Sequence, residues 1–419
     1  MQEEKLRELL AYLSKHSPFY QQLFVKNQIV IQTIKTLEDI TLLPTTSKED
    51  LQHHNNDFLC VPTERIIEYT STSGTLGSPV TIALTEGDLE RLAYNEYNSF
   101  LTADGSKNDI YQLMLTLDRQ FMAGLAYHSG IRRLGAGIIR LGPGVAALQW
   151  ETIQRLRPTA IVAVPSFILK LIQYAKDHDI DMNKSSVKKA ICIGENIRNS
   201  DCSLNVLGKK INDTWNIKLY STYASTEMQT AFTECAHGCG GHYQPELLIV
   251  ELLDENNNQV APNTPGEVTI TTLGVEGMPL LRYKTGDISM YFDGPCACGR
   301  DTWRLSPVIG RKKQMIKFKG TTLYPQALFD LLNEMQEILD YVIEIYSNEI
   351  GMDEVLLYLV PSDTNGETEY RIRGYLQARL RVSPHIRYVT DEEIQKMQFS
   401  ETARKAFKLI DKRIKQPQE

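Results

Sequence analysis

No apolar run in this 419-residue chain approaches the roughly 20 residues of a membrane span, and the first residues lack the apolar core of a signal peptide. These absences point away from a membrane or exported protein and toward a cytoplasmic enzyme. Cysteine is scarce: seven residues in the whole chain do not suggest a disulfide framework. A basic excess is missing as well. The 45 Lys and Arg against 52 Asp and Glu leave a net charge of −7, which argues against a broad nucleic-acid surface. The Gly-x-x-x-x-Gly-Lys-Ser/Thr spacing of the common phosphate loop does not occur. Nor is there an internal repeat or low-complexity tract, so two domains are expected rather than an array.

What is present is ordinary for a globular chain, with 42% hydrophobic and 23% charged residues. The length suits one large domain and a smaller one. Leu6, Leu9, Leu10 and Leu13 share a helical face. Thr85 with Asp88 three residues on has the form of a helix cap. Candidate strands at Gln112–Leu117, Gly137–Leu141, Ala160–Val164, Ala190–Ile193 and Lys218–Tyr220 alternate with helical patterns such as Ser166–His178, where Ser166 would be the cap. That alternation predicts α/β layers with parallel strands. From Glu246 the pattern turns β-rich, and a small α+β module follows Arg311.

The least ordinary segment is Tyr69-Thr70-Ser71-Thr72-Ser73-Gly74-Thr75-Leu76-Gly77-Ser78-Pro79-Val80. Glycines let a backbone approach closely, and hydroxyls with freed amides can wrap phosphate oxygens, although such a cluster alone is also what plain turns are made of. Three further motifs follow in order: Tyr220-Ser221-Thr222-Tyr223-Ala224-Ser225-Thr226-Glu227, Arg282-Tyr283-Lys284-Thr285-Gly286-Asp287, and Gly310-Arg311-Lys312-Lys313-Gln314-Met315-Ile316-Lys317-Phe318-Lys319-Gly320. Together they resemble the adenylate-forming superfamily of acyl-CoA ligases, luciferases and adenylation domains. The nearest likeness is to its phenylacetate–coenzyme A ligase branch, and it runs from about Leu6 to Arg413. Ser17-Pro18-Phe19-Tyr20 and Leu43-Pro44-Thr45-Thr46-Ser47-Lys48 belong to the same likeness.

The resemblance implies a large layered N-terminal domain, residues 1–311, and a small mobile C-terminal domain, residues 312–419, turning about a hinge near Lys313. It implies ATP, Mg²⁺ and coenzyme A as reactants. Ser73, Gly74 and Thr75 would hold the β- and γ-phosphates, though Leu76-Gly77-Ser78 stands where the family usually has Thr-Gly-Lys. Tyr223 would stack on adenine beside Gly194 and Glu195, Thr226 would contact the α-phosphate, and Glu227 would ligate Mg²⁺. Asp287 and Arg311 would bind the ribose. Lys405 would bridge the acid and the α-phosphate, with Lys408 as the fallback because Arg404 replaces the usual glycine. Lys317 and Gly320 would face the coenzyme A side. Without the resemblance, Ser-Thr-Glu reads as a helix cap and Thr-Gly-Asp as a turn.

Four cysteines and two histidines cluster in Cys235-Ala236-His237-Gly238-Cys239-Gly240-Gly241-His242 and Cys296-Ala297-Cys298. In a reducing compartment this pattern reads as metal before disulfide. Cys235, His242, Cys296 and Cys298 match the branch and would close a structural zinc site, with His237 and Cys239 as rival ligands. The resemblance puts Phe121 and Phe167 at the acid pocket, which suits an aryl or arylacetic acid. The implied reaction joins a small carboxylic acid to coenzyme A through an acyl-adenylate. Alternatives are transfer to a carrier protein or an amine, adenylyl transfer to another acceptor, and a zinc-stabilised nucleotide-binding protein without activity. Nucleic acid and membrane are not expected partners; family habit implies a homodimer.

Overall fold

Short apolar strands separated by amphipathic helices organise the first 308 residues into one unit, Met1–Val308, and the remainder into a second, Ile309–Glu419. The computed structural model describes residues 1–72, 80–318, 321–349, 352–363, 366–380, 384–398 and 408–413. In the first unit α1 (Gln2–His16) buries Leu6, Leu9, Leu10 and Leu13, the stripe its sequence spacing dictates. Ser17 caps α2 (Pro18–Lys26), and a Ser47–Asp50 capping box opens α3 (Lys48–His53). Strands β1 (Glu68–Ser71) and β2 (Thr81–Leu84) pair antiparallel, with Ser71 opposite Thr81. The expected Thr85–Asp88 box then starts α4 (Glu86–Thr102).

Next come β3 (Ile110–Leu113), α5 (Met122–Leu134), β4 (Gly137–Arg140), α6 (Ala146–Leu156), β5 (Ala160–Ala163), α7 (Pro165–Asp177), β6 (Lys189–Cys192), α8 (Val206–Asn212) and β7 (Lys218–Ser225). The strands lie parallel in the order β4–β3–β5–β6–β7. The sheet continues antiparallel through β8 (Thr230–Glu234) and β9 (Gly241–His242). A second, antiparallel sheet holds β10 (Leu248–Leu253), β11 (Gly266–Thr272) and β12 (Tyr283–Ser289). Two short strands, β13 (Tyr291–Phe292) and β14 (Arg304–Leu305), return to close the edge of the first sheet beside β9.

Three local readings differ from expectation, the first being that the strand read at Lys218–Tyr220 runs on to Ser225. The strand read at Gln112–Leu117 ends at Leu113, because a buried apolar run after a strand has no period that marks its exit. Ser166 does not cap α7. Proline at its first position opens that helix, and both the amide and the hydroxyl of Ser166 donate to the Glu195 carboxylate, at 2.8 and 2.9 Å.

The second unit begins with β15 (Gly310–Arg311) and a hairpin of β16 (Ile316–Phe318) and β17 (Thr321–Leu323). There follow α9 (Pro325–Glu334), β18 (Ile338–Ser347), β19 (Asp353–Pro361), α10 (Gly366–Leu380), β20 (His385–Tyr388), α11 (Asp391–Gln398) and β21 (Leu409–Asp411). Its sheet runs β20–β19–β18–β21 over a core of its own that includes Phe318, Leu328, Ile343, Leu357 and Leu376. Helix α11 and strand β21 were not read from the sequence. The helix buries a single large apolar residue, Ile394, too little for a stripe.

Candidate active site

Parallel α/β sheets bind ligands where strands end at their carboxyl edge. At that edge β6 runs into Ile193, Gly194 and Glu195. Gly194 has φ of 74°, a left-handed turn that glycine adopts without strain. Glu195 is committed to the start of α7 through Ser166. Strand β7 carries Ser221, Thr222 and Tyr223 and runs into the four-residue turn Thr226–Gln229 before β8. Inside that turn the Met228 amide donates to the Ser225 hydroxyl, and Met228 itself is buried. Thr226 and Glu227 are left half-exposed at the rim.

Opposite this edge stands β12. Its register with β11 slips between Glu267 and Thr269, so Thr285-Gly286-Asp287 forms a bulge. Gly286 has φ of 79°, and the Asp287 amide donates to the Thr285 hydroxyl, which in turn donates to the Val268 carbonyl. A bulge of this kind re-aims a side chain. Here Asp287 accepts a 2.8 Å hydrogen bond from the Tyr223 hydroxyl, and Tyr283 on the same strand reaches Glu227 Oε1 at 3.4 Å. Burial, with Glu227 and Asp287 nearby, pushes the Tyr283 phenol well above its ordinary range, so it remains a donor. Thr46, from the Pro44-Thr45-Thr46 segment, bridges to Tyr283 and donates its amide to the Arg282 carbonyl. The two sheets thus meet at Tyr223, Glu227 and Asp287.

The Cys/His cluster gathers around Cys235, just past the end of β8, and His242 on β9. Cys235 Sγ and Cys296 Sγ are 3.7 Å apart, Cys298 Sγ and His242 Nε2 are 3.5 Å apart, and all four donor atoms lie within 4.8 Å of one another. Burial, with Arg300 and Arg304 close by, brings the His242 imidazole down to about 4. It is therefore neutral near pH 7, while Nδ1 faces the Thr302 hydroxyl at 3.4 Å. Burial raises the Cys298 thiol, but hydrogen bonds from Arg300 outweigh it and the net position is about 7. Burial pushes Cys235 up to about 12. His237 and Cys239 are exposed and outside the four-atom set. Ser221, Tyr223 and Asn196 line a narrow cleft together with Glu234 and Gly241, the chain neighbours of Cys235 and His242.

The profile of the family described as AMP-binding enzyme matches residues 21–277, more than half of the chain. The chain belongs to the AMP-binding enzyme family. Among its relatives, the phenylacetate–coenzyme A ligase of Thermus thermophilus is 27% identical over 368 residues, 87% of this chain and 81% of the relative. That of Pseudomonas putida is 25% identical over 358 residues, 83% and 78% of the two chains. A solved 2-hydroxyisobutyryl-CoA ligase, in the postadenylation state in complex with R3-HIB-AMP, superposes with a TM-score of 0.85 at 22% identity, covering 98% of this chain and 88% of that one. That likeness shows the adenylate-forming fold.

Within this family member the structure gathers Tyr223, Thr226, Glu227 and Asp287 into one region, with Gly194 and Glu195 at the neighbouring strand end. Phe121, just before α5, and Phe167, in the first turn of α7, border different apolar clusters, one containing Tyr127 and the other Trp150. In the second unit Arg311 lies in β15, and the Lys313 carbonyl accepts from Arg413 Nη2 at 2.8 Å. Lys317 sits on β16. Ser73, Gly74, Thr75, Gly320 and Lys405 lie outside the described residues. Sequence reasoning missed Tyr283 as a partner of Glu227. Its place at the head of the Tyr-Lys-Thr-Gly-Asp strand, four residues before Asp287, was the available signal.

Proposed function

We propose that the protein activates a small carboxylic acid with ATP and passes the acyl group to coenzyme A. The observation that carries this reading is the junction of Tyr223, Glu227 and Asp287 at the carboxyl edge of a parallel sheet in an AMP-binding enzyme. A carboxylate and a triphosphate repel, so the site must supply countercharge and fixed geometry. Asp287, with its position set by Tyr223, would accept both ribose hydroxyls. Tyr223 and the Gly194–Glu195 turn would flank the adenine. Glu227 would hold Mg²⁺, which supplies neutralising charge to the phosphates. Thr226 would face the α-phosphate, and Ser73, Gly74 and Thr75 the outer two.

In the first half-reaction an acid oxygen bonds to the α-phosphorus, and the bond to the β-phosphate oxygen breaks, releasing pyrophosphate. Lys405 would stabilise the charge between acid and phosphate. In the second, the coenzyme A sulfur bonds to the acyl carbon and AMP departs with the former acid oxygen. Arg311 would reach the ribose, and Lys313 would be the hinge between the two half-reactions, with Lys317 and Gly320 on the thiol side. Phe121 and Phe167 would favour an aromatic acid, as the phenylacetate–CoA ligase relatives suggest. Cys235, His242, Cys296 and Cys298 would hold a structural zinc. Metal–sulfur and metal–nitrogen bonds of about 2.3 and 2.0–2.1 Å in a tetrahedron require donor separations of about 3.8 and 3.6 Å. The observed 3.7 and 3.5 Å agree with these.

The test is pyrophosphate release across aryl, arylacetic and short aliphatic acids, with product analysis plus and minus coenzyme A. Acid-dependent release and an acyl-CoA product support the reading. Release without any thioester would move the acceptor to another nucleophile, and no release with any acid, despite ATP binding, would remove the enzymatic reading.

A further inference from the structure

Arg91 is an unusual occupant of α4. It is 7% exposed, and its guanidinium donates to three main-chain carbonyls from three separate segments. Nε reaches the Leu273 carbonyl at 2.7 Å, Nη2 the Leu247 carbonyl at 2.6 Å, and Nη1 the Gln229 carbonyl at 3.1 Å. Leu247 and Leu273 face each other at the open end of the β10–β11 ladder, where the Leu273 amide also donates to the Leu247 carbonyl at 2.9 Å. Gln229 is the last residue of the turn that carries Thr226 and Glu227. It stands at φ of 52°, a left-handed conformation a non-glycine residue holds only when its surroundings impose it. One planar fork therefore ties the sheet bearing Tyr283 and Asp287 to the turn bearing Glu227. A turn earlier on α4, Asp88 accepts from the Glu276 and Gly277 amides at 2.7 and 2.9 Å, which fixes the helix against the same sheet.

We propose that Arg91 is a positioning residue for adenylation: by clamping the Gln229 carbonyl it holds Thr226 and Glu227 at the height at which they face Asp287. The proposal rests on the roles given above to Glu227 and Thr226. Five donors in a rigid fork suit this task, and lysine can replace only part of it. A displacement of about 1 Å at a positioning contact can cost on the order of 10²-fold in rate, so the clamp should be felt in catalysis as well as in stability.

The experiment titrates Mg²⁺ in acid-dependent pyrophosphate release at saturating ATP and acid, using the full chain, Arg91→Met, Arg91→Lys and Glu227→Gln. Arg91→Met should raise the half-saturating Mg²⁺ about tenfold and lower kcat by a similar factor, leaving KM for the acid within twofold. Arg91→Lys should recover part of both. A residue that merely braces the fold would lower the melting temperature with Mg²⁺ dependence unchanged. That result in Arg91→Met, with Glu227→Gln shifted, overturns the proposal. An unshifted Glu227→Gln would instead withdraw the metal role of Glu227 itself, and the proposal with it. If Arg91→Met does not fold, Arg91→Lys decides: a folded variant with wild-type Mg²⁺ half-saturation and kcat overturns the clamp.

Discussion

The Tyr223 hydroxyl donates to Asp287 Oδ2 across 2.8 Å, and this bond joins β7 of the long sheet to the bulge of β12 in the second sheet. Asp287 is 7% exposed, so each donor it keeps counts. Hydrogen bonds to charged groups are worth roughly 1.5–3 kcal/mol, or about tenfold or more in affinity. Tyr223→Phe should therefore weaken binding of a non-hydrolysable ATP analogue by about tenfold. Asp287→Ala, which also removes the ribose acceptor, should weaken it further. Calorimetric titration checks both, and wild-type affinity in Asp287→Ala would detach the ribose from this strand.

Lys408 was the fallback for the catalytic lysine, and its surroundings now argue against that role. Its ammonium pairs with Asp340 at 3.3 Å and lies 4.3 Å from the centre of the Tyr341 ring. Such partly exposed contacts contribute about 1 kcal/mol or less. Lys408→Ala should lower the melting temperature slightly and leave pyrophosphate release within about twofold. Lys405→Ala should cut that release by about 10²-fold or more, the usual effect of removing transition-state countercharge. A reversed ranking in the same assay would move the role to Lys408.

How much of this was legible depended on whether the cause was local. The Thr85–Asp88 box and the Leu6, Leu9, Leu10, Leu13 stripe depend on neighbours three and four residues away, and both formed where the sequence put them. Tyr223 and Asp287 are 64 residues apart, and only the likeness of whole motifs linked them before the structure joined them. Arg91 was invisible for the opposite reason. An arginine in an amphipathic helix reads as part of the solvated face, and nothing in the chain announces that three distant carbonyls will surround it. Ser166 misled because its capping chemistry is common, while its actual acceptor, Glu195, lies 29 residues downstream.

Geometry separates the four proposed zinc ligands from their rivals. Cys235, His242, Cys296 and Cys298 converge, whereas Cys239 is exposed and its carbonyl accepts from Arg304 Nη1 at 3.1 Å. The purified protein should carry about one zinc per chain, as a closed four-ligand site demands. Cys296→Ser should lose most of it and Cys239→Ser should keep it, as read by elemental analysis. Chelation should lower the melting temperature and also weaken ATP binding, because Gly241 and Tyr223 line one cleft. Full zinc in Cys296→Ser would dismiss the assignment.

Glu96 on α4 contributes to the pH response of stability. Gly130 of α5 approaches so closely that a Cβ there would lie 2.3 Å from Glu96 Cβ, and this contact seals the carboxyl in the helix interface at 3% exposure. Oε1 accepts from Asn95 Nδ2 at 3.2 Å, while Oε2 has no partner among the described residues. Burial pushes the acid from 4.5 up to about 8. A raised carboxyl pKa means the folded state holds its proton more tightly than the unfolded one. The associated stability is complete below about 4.5 and is lost as pH rises to about 8. Glu96→Gln keeps the shape without the titration. Its melting temperature should match the wild type at pH 4.5 and exceed it by about 2 °C or more at pH 8.5. Groups elsewhere titrate alike in both proteins, so the difference between the two melting curves isolates this carboxyl. A difference that stays flat across that range would mean the Glu96 carboxyl ionises as freely in the folded protein as in the unfolded chain.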